Sequence, residues 1–132
     1  MNGQYDNLSD KEEQIASKIV NAAFIVHKKL GSGLLESVYE LCFCHELHKA
    51  GLLIKRQQPF PIVYDEMVFD IGFRLDVLVN DLVICELKSV DVMHPVYYSQ
   101  LLSYLRLTQK RLGFLINFNV STIREGIKRI VL

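Results

Sequence analysis

Apolar runs in this 132-residue chain are short, as at Ala22–Val26, Leu82–Cys85 and Phe114–Ile116. A bilayer-spanning helix needs ~20 apolar residues in a row, so none is expected, and no membrane partner with it. The opening stretch Met1–Lys11 is polar, which argues against a secretory leader. Net charge is absent too: 15 Lys and Arg balance 15 Asp and Glu. No whole-molecule field will therefore draw the chain onto nucleic acid or an anionic membrane. Cysteine is scarce and odd in number, at three, so a disulfide framework is not expected and a reducing cytoplasm is. Cys44 and His48, or His45 and His48, are spaced to share a metal, but no second pair completes a four-ligand zinc site. There is no internal repeat and no linker rich in Pro, Gly or Ser.

What remains is the composition of a globule, half hydrophobic and 23% charged. Its length suits one domain spanning 1–132. Charge is uneven along it: from Ser99 to Leu132 there are six bases (Arg106, Lys110, Arg111, Arg124, Lys128, Arg129) against Glu125 alone. A local basic face is expected there.

Ser9-Asp10-Lys11-Glu12 has capping-box form, and Ile15, Ile19, Ala22, Val26 and Leu30 recur at helical spacing after it. The spacing predicts a helix over 10–30, ended by Gly31. Ser32 is the expected cap of a second helix over 34–50, with Val38, Leu41, and Leu47 or His48 inward, stopped by Gly51. Phe60, Ile62 and Tyr64 then alternate, Asp65-Glu66 turns the chain, and apolar runs over 67–79 and 82–89 follow. These read as an antiparallel meander. Pro95 suits the first turn of a helix over 95–109, and Leu112–Phe118 reads as a buried strand. Thr122-Ile123-Arg124-Glu125 has capping-box form, and Ile127–Leu132 is expected to be a short strand. The expected fold is α/β: a mixed sheet of four or five strands flanked by helices, with an ααβββαβ core.

The chemistry concentrates in Ile84-Cys85-Glu86-Leu87-Lys88 and in the preceding strand, where Asp76 stands among apolar residues. Desolvating a carboxylate or an ammonium costs several kcal/mol unless it is paired or metal-bound. Turn parity decides whether Asp76 and Glu86 meet. A two-residue loop at Asn80-Asp81 would pair Asp76 with Cys85 and turn Glu86 away. A three-residue or bulged turn near 79–82, with Asn80 or Asp81 left-handed, would bring both acids to one face. Two such carboxylates with the Leu87 carbonyl would suit a hard cation such as Mg²⁺, leaving positions for water and a phosphate oxygen. Lys88 would neutralise developing charge or orient the attacking water. The competing reading is a Glu–Lys pair on an exposed sheet face.

Asp76 followed by Glu86-Leu87-Lys88 resembles the PD-(D/E)xK nuclease superfamily signature. Gly33-Leu34-Leu35-Glu36-Ser37-Val38-Tyr39 is similar to the G-x-x-E-x-x-Y pattern of a family of small bacterial and archaeal proteins placed in that superfamily. Gln100-Leu101-Leu102-Ser103-Tyr104 resembles the Q-x-x-x-Y helix motif of its exonuclease-like branch. The resemblance runs from about Ser9 to Leu132 and implies a restriction-endonuclease-like fold. It implies Asp76 and Glu86 as metal ligands with Leu87, Lys88 as the catalytic lysine, and Glu36 as a helical acid reaching the metal directly or through water. It also implies Gln100 and Tyr104 lining the cleft against phosphate or base, with Tyr39 beside Glu36 on one helix face. The residue before Asp76 is Leu75 where the signature has proline. Arg74 either balances the carboxylates or binds phosphate, His94 either caps the third helix or reaches the cleft, and Tyr97 is expected to join the helix face.

The expected function is Mg²⁺- or Mn²⁺-dependent phosphodiester hydrolysis on nucleic acid, DNA favoured, by a chain small enough to work as a homodimer. Two alternatives stand beside it. One is a non-hydrolytic module binding nucleic acid or a partner, which the neutral charge favours. The other is a hydrolase of small phosphate esters.

Overall fold

A computed structural model describes residues 7–132. Part of the polar opening stretch, residues 1–6, lies outside the described residues. Helix α1 spans Asp10–Leu30 behind a complete capping box: the Glu12 N–H donates to Ser9 Oγ (3.1 Å) and the Ser9 N–H donates to Glu12 Oε1 (2.8 Å). Its buried stripe is Ile15, Ile19, Ala22, Ala23 and Val26.

Helix α2 begins later than expected, at Glu36, and runs to Lys49. Ser32 does not cap it; the cap position is Leu35, which makes no side-chain hydrogen bond. The link is fixed instead by Tyr39, whose hydroxyl donates to the Gly31 carbonyl (2.6 Å) and accepts from the Leu34 N–H (3.2 Å). The inward face is also corrected. Tyr39, Phe43, Cys44 and Leu47 are buried, whereas Leu41 is 56% exposed and His48 lies outside. The reason is aromatic area: Tyr39 stacks on Phe118 with centroids 4.6 Å apart, and Phe43 meets the same ring edge-on. Turning the helix to bury those rings carries Leu41 into solvent.

Strands β1 (Ile54–Tyr64), β2 (Met67–Val79) and β3 (Val83–Lys88) form the antiparallel meander. Helix α3 (Pro95–Thr108) crosses over to β4 (Leu112–Asn117), which runs parallel to β3. A four-residue helix, α4 (Ile123–Gly126), leads into β5 (Ile127–Val131), antiparallel to β4. Thr122 makes no side-chain cap bond there, so the second capping box does not form. The sheet order is β1-β2-β3-β4-β5. Val77, Val79, Cys85, Leu87 and Phe114 face α1 and α2, while Leu78, Ile84 and Leu115 pack with Leu101 and Leu105 of α3. This is the expected restriction-endonuclease-like α/β arrangement, with five strands. Among the described residues no helix is long and apolar enough to cross a membrane.

Candidate active site

The turn between β2 and β3 has three residues. Val79 pairs with Val83, Asn80 and Asp81 are both left-handed (φ 52° and 54°), and the Leu82 N–H closes onto the Val79 carbonyl (2.9 Å). Asn and Asp tolerate that backbone well. The turn is pinned to β1, because Asn80 Oδ1 accepts from the Leu53 N–H (2.7 Å) and Asp81 pairs with Lys55 (3.0 Å). Continuing the register beyond Val77↔Cys85 sets Asp76 opposite Glu86.

At that point β2 leaves β3. Side chains take over from the backbone ladder: the Asp76 N–H donates to Glu86 Oε2 (3.0 Å), and the Leu87 N–H donates to Asp76 Oδ2 (2.9 Å). The β1 side is irregular at the same level. Pairing skips Gln57 and Asp76, and Gln57 is left-handed (φ 51°). Side-chain alternation breaks there as well, since Leu75 packs on the α3 side while Val77 and Val79 face α1 and α2. Asp76 thus occupies a split in the sheet rather than a flat face. A strand residue directs its N–H and carbonyl to the same side. The Leu87 carbonyl therefore points into this split alongside its N–H.

The pair is desolvated. Glu86 is 7% exposed, and burial first, then the Asp76 carboxylate, pushes its pKa up to about 8. Burial also raises Asp76, with Glu40 and Glu36 adding to it, while the Leu87 N–H and Lys88 pull it down. Each carboxylate has one oxygen held by a backbone N–H; the other accepts no hydrogen bond among the described residues. Neither acid has an ion-pair partner within 4.0 Å among them. Two crowded, half-satisfied carboxylates with a backbone carbonyl form the hard-oxygen donor set that a divalent cation accepts. Among the described residues no three His, Cys, Asp or Glu side chains gather into a cage of their own, so water or substrate would have to complete the coordination.

Glu36 opens α2, exposed, and accepts from the Ser89 N–H (3.4 Å), while Ser89 Oγ donates to the Leu34 carbonyl (2.6 Å). These contacts tie the G-x-x-E link to the residue after Lys88. Lys88 places its Nζ 4.4 Å from the centre of the Tyr97 ring, a cation–π contact. The strand end is stapled by the buried Asn117, whose Oδ1 accepts from the Val90 and Asn119 N–H groups and whose Nδ2 donates to the Val90 carbonyl. The Phe118 N–H closes onto the Lys88 carbonyl.

Tyr104 stacks on Phe73 (4.5 Å), and its hydroxyl is raised in pKa by burial, then by Glu86 and Asp76. Gln100 is exposed on the α3 stripe between Tyr97 and Tyr104. Arg74 is exposed and without an ion pair among the described residues. It lines a cleft of about 480 Å³ with Glu36, Ser37, Glu40, Arg56, Gln57 and Asp76. His94 caps α3, its Nδ1 accepting from the Val96 N–H (3.2 Å). Tyr39 is the exception: it is fully buried and held by Gly31 and Leu34, so it is no nucleic-acid contact.

Sequence reading missed a fourth acid. Glu40, buried, receives Arg56 Nε (2.9 Å) and Nη2 (2.8 Å) on one oxygen and Gln57 Nε2 (2.7 Å) on the other. The available signal was its position four residues after Glu36, one helical turn away on the same face. Tyr97 was expected on the helix face, where it continues the stripe of Gln100 and Tyr104, but its contact with Lys88 was not anticipated.

A family model described as the PD-(D/E)XK nuclease superfamily matches residues 13–130. Among curated proteins and solved structures nothing matches.

Proposed function

The chain belongs to the PD-(D/E)XK nuclease superfamily, and from that premise we propose that it is a Mg²⁺- or Mn²⁺-dependent nuclease acting on DNA in preference to RNA. We further assign it to the G-x-x-E-x-x-Y branch, on Gly33, Glu36 and Tyr39, and read 1–132 as one working domain of the cytoplasm. The reading is carried by one observation: Asp76, half-buried, and Glu86, buried, face each other across the split, each with an oxygen to offer.

Asp76, Glu86 and the Leu87 carbonyl would hold the cation, with Glu36 one step further out. The cation would supply electrophilic activation of the phosphate. Lys88, oriented by Tyr97, stabilises the negative charge that grows on the phosphoryl oxygens and orients the attacking water. Arg74 holds a neighbouring phosphate along the cleft it lines with Glu36. Gln100 and Tyr104 present polar groups from α3 to the substrate on the other side.

Labelled single- and double-stranded DNA and RNA, and mononucleotides, incubated with Mg²⁺ or Mn²⁺ test the reading. Wild type should cut DNA, and Glu86→Gln and Lys88→Ala should lose ~10²–10⁴ of the rate. Equal cleavage by all three proteins would defeat it. Metal-independent binding without cleavage would favour a binding module, and turnover of mononucleotides alone a small-ester hydrolase.

A further inference from the structure

The β1–β2 hairpin carries an unused surface. Its register shifts between Phe60 and Ile62, where a Cβ on Gly72 would overlap the Phe60 carbonyl. Beyond this bend the two strands form an arm, with Ile62 paired to Phe69 and Tyr64 to Met67. Paired and alternate residues share a face. One face of the arm is therefore Ile62, Tyr64, Met67, Phe69 and Ile71. Tyr64 is 67% exposed and Ile71 89%. Val63 and Val68 are exposed on the reverse.

We propose that this apolar face joins two copies of the chain, arm against arm about a two-fold axis. Charge narrows the occupant. From Gln57 to Phe73 there is no Lys or Arg, while Asp65, Glu66 and Asp70 are acidic. Phosphate backbones and anionic lipid surfaces are repelled by such an arm. The face itself is nearly without polar groups, the Tyr64 hydroxyl excepted, so it is complementary to its own copy, as an isologous interface requires. Its exposed side chains present on the order of 500 Å² of apolar area, most of the ~800 Å² per partner that a stable dimer uses.

The mode is face packing, not strand addition. β1 is an edge of the sheet, and Pro59 and Pro61 remove two of its N–H donors. Antiparallel arms also set the tip acids, Asp65 and Glu66, at opposite ends of the interface, apart from those of the other copy. This proposal does not depend on the nuclease reading, and its test uses no metal.

Sedimentation equilibrium of the full chain at about 100 µM should give a dimer. The double variant Met67→Lys, Ile71→Lys should give a monomer with unchanged circular dichroism, because the arm lies outside the core. Hydrogen exchange of the wild type gives a second readout: the 62–71 amides should slow as concentration rises. A monomeric wild type at ~100 µM, a folded double variant that remains dimeric, or concentration-independent exchange would each overturn the proposal. So would protection of 62–71 by duplex DNA or by phosphatidylglycerol vesicles in a dilute monomer.

Discussion

Two buried glutamates sit at the same depth, Glu40 on α2 and Glu86 on β3, each 7% exposed. Their surroundings are opposite. Glu40 has both oxygens occupied by the side chains of Arg56 and Gln57. Glu86 has one backbone N–H and a second carboxylate beside it. A buried charge that is fully paired holds elements together; one left half-paired is held ready for a ligand the protein does not itself supply. The first kind ties α2 to β1, and the second is the place to expect chemistry.

Exchanging one oxygen for nitrogen in each residue tests this contrast most severely. Glu86→Gln should lower cleavage by ~10³ while leaving the metal-free protein folded and, at pH 8, more stable than wild type. Assay and thermal melt of one preparation check both halves, and a destabilised Glu86→Gln would erase the distinction. Glu40→Gln should do the reverse. Arg56 would keep only a neutral oxygen where it now has a carboxylate, at a cost of about 1–3 kcal/mol in chemical denaturation. Affinity for Mn²⁺ should stay within a few-fold of wild type.

A smaller effect sharpens the same difference along the pH axis. Glu86 ordinarily titrates near 4.5 and does so near 8 in the folded chain. Between those values the folded state binds more protons than the unfolded one, so this group's contribution is present at low pH and is lost as pH rises toward 8. Asp76 shifts in the same direction. The metal-free melting temperature should therefore fall from pH 5 to pH 8, and saturating Mg²⁺ should cancel the fall, which scanning calorimetry reads directly. In Glu86→Gln the slope should flatten. The smallest expected change is at Lys88, whose ammonium also lacks an ionic partner within 4.0 Å among the described residues. Tyr97→Leu should remove its cation–π seat and slow cleavage about fivefold with little change in substrate KM. An unchanged rate would mean that Lys88 is oriented by something else.

Much of this was legible before the fold was known. The stripe from Ile15 to Val26 marks α1, and turn parity reduced the meeting of Asp76 and Glu86 to one question, answered by the left-handed Asn80 and Asp81. Local pattern carries such features because helical spacing and hairpin arithmetic are local. The Glu40–Arg56 pair was not legible, since its members are 16 residues apart on different elements and neither spacing nor composition joins them. Nor was the break in alternation at Asp76, which arises where the facing Gln57 takes a left-handed backbone. Tyr39 misled because a motif position reads alike whether its side chain meets solvent or stacks on Phe118.

The staple around Asn117 bears on motion. Strand ends ordinarily fray, and the loops of functional sites are drawn from the least stable parts of a molecule. Here the amides of Leu87, Val90 and Phe118 are each taken by a fixed acceptor. Their protons should exchange with solvent only when the whole domain opens, not by local breathing. The lysine-bearing tip of β3 then behaves as an anchored post, and whatever adjusts to admit a substrate must be the elements around it.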